Sequence, residues 1–217
     1  TSHRYVADRA TVMMGRPLEE LKLVTCHLGN GCSAAAVDGG VSIDTSMGFT
    51  PVEGLLMGTR CGDIDPAALL YVMGREGLGM AEANSLINKH SGLQGISGIS
   101  NDMREVESAA LAGNSRAELA LDMFSYRVKK YIGSYAAAMG GLDGIVFTGG
   151  IGENSSDMRL RTLEGLEFLG VNFDPEANRL QSSEERFIDT GGSTRVMIIP
   201  TNEELVIARD TLELVED

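Results

Sequence analysis

Twice in these 217 residues a short apolar segment runs through a glycine or proline turn straight into a helical pattern, which confines the chain to a layered α/β architecture. The first unit is Gly144 to Thr148, read as a buried strand, then Gly149-Gly150-Ile151-Gly152 as a tight loop, then a helix carrying Leu160, Leu163 and Leu166. The second is Arg195 to Ile199, then Pro200, then the capping box Thr201-Asn202-Glu203-Glu204 opening a helix with Leu205, Ala208, Leu212 and Val215 inward. Upstream, Leu21 to Cys26 and the alternating Cys32 to Val37 read as strands, and Asp38-Gly39-Gly40 is a hairpin signal into Val41 to Thr45. From Ser115 to Met139, Leu121, Phe124, Val128, Tyr131, Tyr135 and Met139 step by three or four, marking a long amphipathic helix that Gly140-Gly141 ends. The expectation is one domain with a mixed sheet of about five strands and helices on both faces.

Between Met47 and Asp63 lies a glycine-rich stretch with little periodicity, and such stretches inside a domain are usually functional. Asp65-Pro66 after it reads as the cap and first residue of a helix. The formal net charge of -13, with no Lys/Arg run, excludes nucleic acid and anionic membrane as partners. No apolar run nears the ~20 residues that cross a bilayer. Three cysteines, Cys26, Cys32 and Cys61, form no C-x-x-C pair, so neither a disulfide framework nor a zinc site is indicated and a cytoplasmic setting is expected. If the ligand is an anion, a few placed arginines, backbone N–H groups and a divalent cation must attract it locally.

Four constellations could do so. His27-Leu28-Gly29-Asn30-Gly31 joins the first two strands; its glycines let backbone approach a bulky anion and His27 and Asn30 can donate, although Asn-Gly is also an ordinary hairpin turn. Gly149 to Asn154 follows a strand and precedes a helix, so its amides suit a nucleotide, but it is no Walker A sequence and reads equally as a turn of small residues. Gly58 to Pro66 carries Arg60 in a glycine-flanked loop; an exposed arginine is usually just solvated, yet its planar fork best neutralises a transferring phosphoryl group. Asp102-Met103-Arg104 opens a further helix, where capping alone would explain Asp102. Glu203, in the first turn of the last helix, suits the helix dipole whether or not it holds a metal.

The element order resembles the actin-like ATPase (ribonuclease H-like) fold. The blocks HLGNG, MGFTPVEGLLMGTRCGDIDP, FTGGIGEN and PTNEELVIAR, in that order, resemble the acetate kinase family across essentially the whole chain. The resemblance implies reversible phosphoryl transfer from ATP to acetate, giving ADP and acetyl phosphate. It implies a phosphate loop at His27, Leu28, Gly29, Asn30 and Gly31, and adenosine contacts at Asp102, Met103 and Arg104 and at Gly150, Ile151, Gly152, Glu153 and Asn154. It further implies Glu203 as the carboxylate associated with Mg²⁺ or Mn²⁺, Arg60 as the stabiliser of the transferring phosphoryl group, and a homodimer. Cys61 stands where serine is common in the family.

Family members begin with a separate actin-like half that carries the catalytic aspartate, and with a Phe-His-Gly ahead of the Thr-Ser-His block. Residues 1–217 are therefore expected to be the C-terminal nucleotide-binding domain, without the N-terminal one. Alone it is expected to bind nucleotide weakly and to lack kinase activity, and the role of the missing histidine is not moved onto His3. Propionate and butyrate kinases share these blocks, and a non-catalytic actin-like nucleotide-binding module or an interaction domain are the readings from other classes.

Overall fold

β1 (Lys22–Leu28) lies at the centre of the sheet, and its alternation decides the architecture. In this computed structural model, which describes residues 1–216, the strand order is β3-β2-β1-β4-β6-β5, with β2 (Cys32–Asp38), β3 (Val41–Thr45), β4 (Gly144–Thr148), β5 (Arg186–Phe187) and β6 (Arg195–Ile198). β1, β4 and β6 are mutually parallel; β2 pairs antiparallel with β1 and β3 antiparallel with β2 on one side, and β5 pairs antiparallel with β6 on the other. The sheet thus has six strands where about five were expected. The addition is β5, a two-residue edge pairing of Arg186 with Ile198 and Phe187 with Met197, too short to show alternation in sequence.

Alternate residues of the parallel strands enter two separate cores. Val24, Cys26 and Leu28 of β1, Ile145 and Phe147 of β4, and Val196 and Ile198 of β6 face one layer; Leu23, Val146 and Met197 face the other. α6 (Ser115–Met139) covers the first face with Leu121, Phe124, Val128, Ile132, Tyr135 and Met139. Its boundaries are those expected: Asn114 accepts from the amides of Arg116 and Ala117 at the start, and Gly140, at φ 66, closes the end. α1 (Ser2–Met14) covers the second face with Val6, Ala7 and Ala10. Helices α2 (Pro66–Glu76), α3 (Met80–Lys89), α4 (Gly92–Ser97) and α5 (Met103–Leu111) fill the connection from β3 to α6, with Asp65 and Pro66 capping α2 as expected.

Four expectations need correcting. The glycine segment after β4 is the short helix α7 (Gly149–Asn154) rather than a loop, because the amide of Gly149 finds the Glu153 carboxylate at 2.9 Å and the turn closes on itself. In α8 (Ser156–Leu163), Met158 and Leu163 are buried while Leu160 is exposed, and Leu166 lies beyond the helix end. In α10 (Glu203–Glu216), Val206 is buried and Leu205 half-buried, but Ala208, Leu212 and Val215 face outward. A helical stripe reports that a face is apolar, not that the same chain covers it. The cap of α10 is Asn202, whose side-chain oxygen accepts from the Leu205 amide at 3.0 Å, and not Thr201, whose hydroxyl meets that of Ser2.

Candidate nucleotide site

Parallel β1 and β4 end side by side, so the β1–β2 turn and the start of α7 are brought together at the carboxyl ends of the strands, where open α/β sheets place their ligands. The approach is close: Gly149 has φ 79, and a Cβ there would sit 2.7 Å from the Leu28 carbonyl oxygen. Only glycine fits.

Between these elements and the start of α5 is a cleft of about 660 Å³. Of the residues picked from sequence, Gly29, Asn30, Asp102, Met103, Arg104, Gly150, Ile151 and Asn154 line it. His27, Leu28, Gly31, Gly152, Glu153, Arg60 and Glu203 do not. Asn101, Glu107 and Ser155 line it as well and were not picked. Asn101 donates to the Asn30 side chain at 2.9 Å, tying the β1–β2 turn to α5. Glu107 follows Met103 by four residues and so shares its face of α5, a spacing that could have singled it out.

Each remaining residue has its own place. Asp102 caps α5, accepting the Arg104 amide at 2.9 Å and the Arg104 guanidinium, which holds this carboxyl down at about 2. Glu153 does not turn to the cleft. Its Oε1 accepts from the Gly149 amide and, at 3.4 Å, from the Thr148 hydroxyl and the Thr201 amide. It therefore occupies the amide at the start of α7 that was expected to serve a ligand. Gly152 is buried and offers its carbonyl to Arg159 at 2.8 Å.

Arg159 is wholly buried, donates to Asn178 Oδ1 and to the Asn178 carbonyl, and is drawn down to about 10 by burial. Replacing it with Met would leave three buried acceptors unpaired. Chemical unfolding of Arg159→Met is expected to show a loss of about 2–4 kcal/mol; a loss under about 1 kcal/mol would mean that these bonds are replaceable.

Arg60 sits across the β1–β2 turn from the cleft. Its Nη1 would be 3.4 Å from a Cβ on Gly31 and lies 3.7 Å from the Met57 sulfur. Among the described residues it has no carboxylate partner, whereas Arg4, Arg9, Arg16, Arg104, Arg127, Arg161, Arg179 and Arg195 all do. The loop that carries it is fixed by backbone: the amides of Ser91, Leu93 and Gln94 donate to the carbonyls of Thr59, Met57 and Gly58, and the Gly58 amide donates to the Asn30 carbonyl. Asp63 secures the far end, accepting from the Gly54 amide, Arg127 and the Tyr131 hydroxyl at 2.8 to 2.9 Å.

His27 points from β1 toward α1, with Nδ1 2.8 Å from the Ser2 hydroxyl. His3 packs beside it, each ring nitrogen 2.8 Å from a hydroxyl, of Thr25 and of Ser33. Burial, and next the neighbouring His27, push the His3 imidazole down from 6.5 to about 4. The folded state thus refuses a proton that the unfolded chain accepts. The resulting stability is complete above about pH 6.5 and is lost as the pH falls toward 4, by on the order of 2–3 kcal/mol. Urea midpoints measured across that window are expected to fall less steeply for His3→Asn than for the parent; equal slopes would refute this.

No group of three or more His, Cys, Asp or Glu side chains is arranged for a metal among the described residues. Glu203 is exposed in the first turn of α10. One carboxylate with room around it suits a divalent cation that brings phosphate oxygens and water as its other ligands, and does not suit a cation held by protein alone. Among the described residues, no helix is long and apolar enough to cross a membrane.

A glycine turn, two helix starts and a guanidinium without a carboxylate partner among the described residues gather at the carboxyl rim of a mixed sheet, in an α/β domain of the actin-like ATPase fold. Comparison with known proteins gives the family. The acetokinase family profile matches residues 1–209, and the chain belongs to that family. It is 58% identical over 216 residues to the acetate kinase of Halothermothrix orenii, covering 100% of this chain and 54% of that protein. The crystal structure of Porphyromonas gingivalis acetate kinase superposes with a TM-score of 0.96 at 47% identity, covering 99% of this chain and 54% of that one. A propionate kinase from Francisella tularensis superposes with a TM-score of 0.87 at 45% identity, covering 95% of this chain and 52% of that one. The chain spans about half the length of the curated relatives it matches.

Proposed function

We propose that this chain is the nucleotide-binding half of an acetate kinase, acting in reversible phosphoryl transfer from ATP to acetate. The observation that carries the reading is Arg60: a half-buried guanidinium beside a glycine turn, without a carboxylate partner among the described residues, in a chain of net charge -13. In so acidic a protein a cation left unpaired next to backbone that can approach an anion calls for an anionic ligand.

In this reading the cleft takes adenosine, with Asp102, Met103 and Arg104 on one side and Gly150, Ile151 and Asn154 on the other. The polyphosphate runs toward Gly29, Asn30 and Gly31, with His27 behind the turn. An acetate oxygen attacks the γ-phosphorus in line while the bond to the β,γ-bridging oxygen breaks, and the electron pair leaves with ADP. Arg60 holds the equatorial oxygens of the moving phosphoryl group, so catalysis is positioning and charge neutralisation. Gly152 and Glu153 serve by shaping α7 and do not touch the ligand. Mg²⁺ or Mn²⁺, held from Glu203, would screen the phosphate charge. Acetate and the rest of the machinery belong to the part of the relatives that this chain does not span. The working protein is then a cytoplasmic homodimer.

Two measurements test this. Calorimetric titration of the chain with MgATP is expected to show binding in the millimolar range or tighter; no heat at that concentration sinks the site assignment. Acetyl phosphate is expected only when the other half of the relatives' sequence is supplied, because half a cleft cannot exclude water or hold acetate against ATP. Full turnover by the chain alone would refute that. The likeness to the Francisella propionate kinase favours a second reading of the acceptor, a three-carbon carboxylate, and the same assay with propionate decides between them.

A further inference from the structure

One acceptor in the cleft has no task in the reading above. Glu107 is half-buried on α5, and its carboxylate lines the cavity where α7 meets α8. Its one hydrogen-bond partner among the described residues is the Ser155 hydroxyl. The Ser155 oxygen also accepts from the Met158 amide at 3.1 Å, so the hydroxyl proton is committed to Glu107 Oε1. Oε2 accepts nothing from the described residues, and the Arg159 and Arg161 side chains are bonded elsewhere. An ionised carboxylate can only accept, and a partly desolvated acceptor with a free oxygen is a cost until a donor meets it.

Where that donor comes from follows from the position of Glu107 along α5. Asn101 and Asp102 stand next to the β1–β2 turn, at the phosphate end. Glu107 is five residues further on, about 7 Å along the helix axis. That places it at the base end of a nucleotide whose phosphates point to Arg60. Of the lining across from it, Ile151 offers no polar side chain, and Asn154 spends its Nδ2 on the Gly150 carbonyl at 2.8 Å, which leaves a neutral amide oxygen, a weaker acceptor than the Glu107 carboxylate. We infer that Glu107 is the base-reading residue of this cleft, its free carboxylate oxygen accepting a hydrogen bond from the exocyclic amino group of adenine. The inference rests on the nucleotide reading and specifies which edge of the nucleotide is recognised.

The test is titration of the chain with ATP, with purine riboside triphosphate, which is ATP without its 6-amino group, and with 2′-deoxy-ATP, for the parent, Glu107→Ala and Glu107→Gln. The parent is expected to bind ATP roughly tenfold or more tightly than the deaminated analogue. Glu107→Ala should bring that ratio to about one, and Glu107→Gln, whose carbonyl still accepts, should keep part of it. Because each ratio is taken within one variant, a general loosening of the fold cancels. A parent without the preference, or ratios unchanged in both variants, overturns the inference alone. So does a change confined to the ATP to 2′-deoxy-ATP ratio, which would make Glu107 a reader of ribose. A parent that binds none of the three overturns the nucleotide reading and this inference together.

Discussion

Arg60→Ala is expected to slow phosphoryl transfer by about 10³-fold or more, with the fold intact, in protein completed by the half that this chain does not span. The size follows from what the residue faces. The guanidinium lies beside Gly31, its charge is not spent on a carboxylate of the described residues, and its backbone is fixed from both sides by α4 and the β1–β2 turn. A charge held in place before the reaction needs no reorganisation when negative charge shifts in the transition state. Removing it should therefore act on kcat, with a smaller change in the KM for ATP, since ground-state contacts to adenosine are made elsewhere in the cleft. Arg60→Lys should recover only part of the loss, because an ammonium cannot span two equatorial oxygens. A tenfold effect or less, or an effect carried entirely by KM, would remove Arg60 from the chemistry.

Gly92→Ala is expected to give the largest loss of stability, about 2–5 kcal/mol, or roughly 5–15 °C in Tm for a domain of this size. Gly92 opens α4 at φ 66, where an L side chain is strained. A Cβ there would also run into the Met57 carbonyl oxygen and come within 2.9 Å of the Arg60 carbonyl oxygen. These are backbone atoms of the very turn that presents Arg60, so relief by a side-chain rotation is not available. The variant should lose activity beyond what its unfolded fraction explains, because the turn must shift to make room. Calorimetric melting of the chain, beside initial rates of the protein completed by the other half at a temperature where parent and variant are both folded, would check this, and a variant that melts with the parent would refute it.

How far the sequence reveals this molecule depends on the distance over which each signal acts. β3, β4 and α6 have their read boundaries, since alternation, a hairpin Gly-Gly and a 25-residue apolar stripe are encoded in neighbouring residues. β1 runs two residues further than read, through His27 and Leu28, because its last residues pair across a turn that looks irregular in sequence. α7 hid for a related reason: what makes Gly149 to Asn154 helical is the Glu153 carboxylate folding back, and three glycines in six residues argue against a helix on propensity alone. The outward face of α10 could not be read, because periodicity does not say what covers a stripe. At the cleft, Gly29, Asn30, Gly150, Ile151, Asn154 and the Asp102–Arg104 start of α5 stood inside the glycine and capping motifs, whereas Asn101 and Ser155 lie one residue outside them and Glu107 one helical turn beyond Met103. That Glu107 meets Ser155 is set by how α5 packs on the α7–α8 junction, which no local pattern encodes.

The carboxylate of Glu153 reaches from the start of α7 to the amide of Thr201, just ahead of α10. Two strand–helix units distant in sequence, already joined by the β4–β6 ladder, are thus also tied above the sheet through one carboxylate oxygen, which links the glycine corner behind β4 to the residue that leads into the last helix.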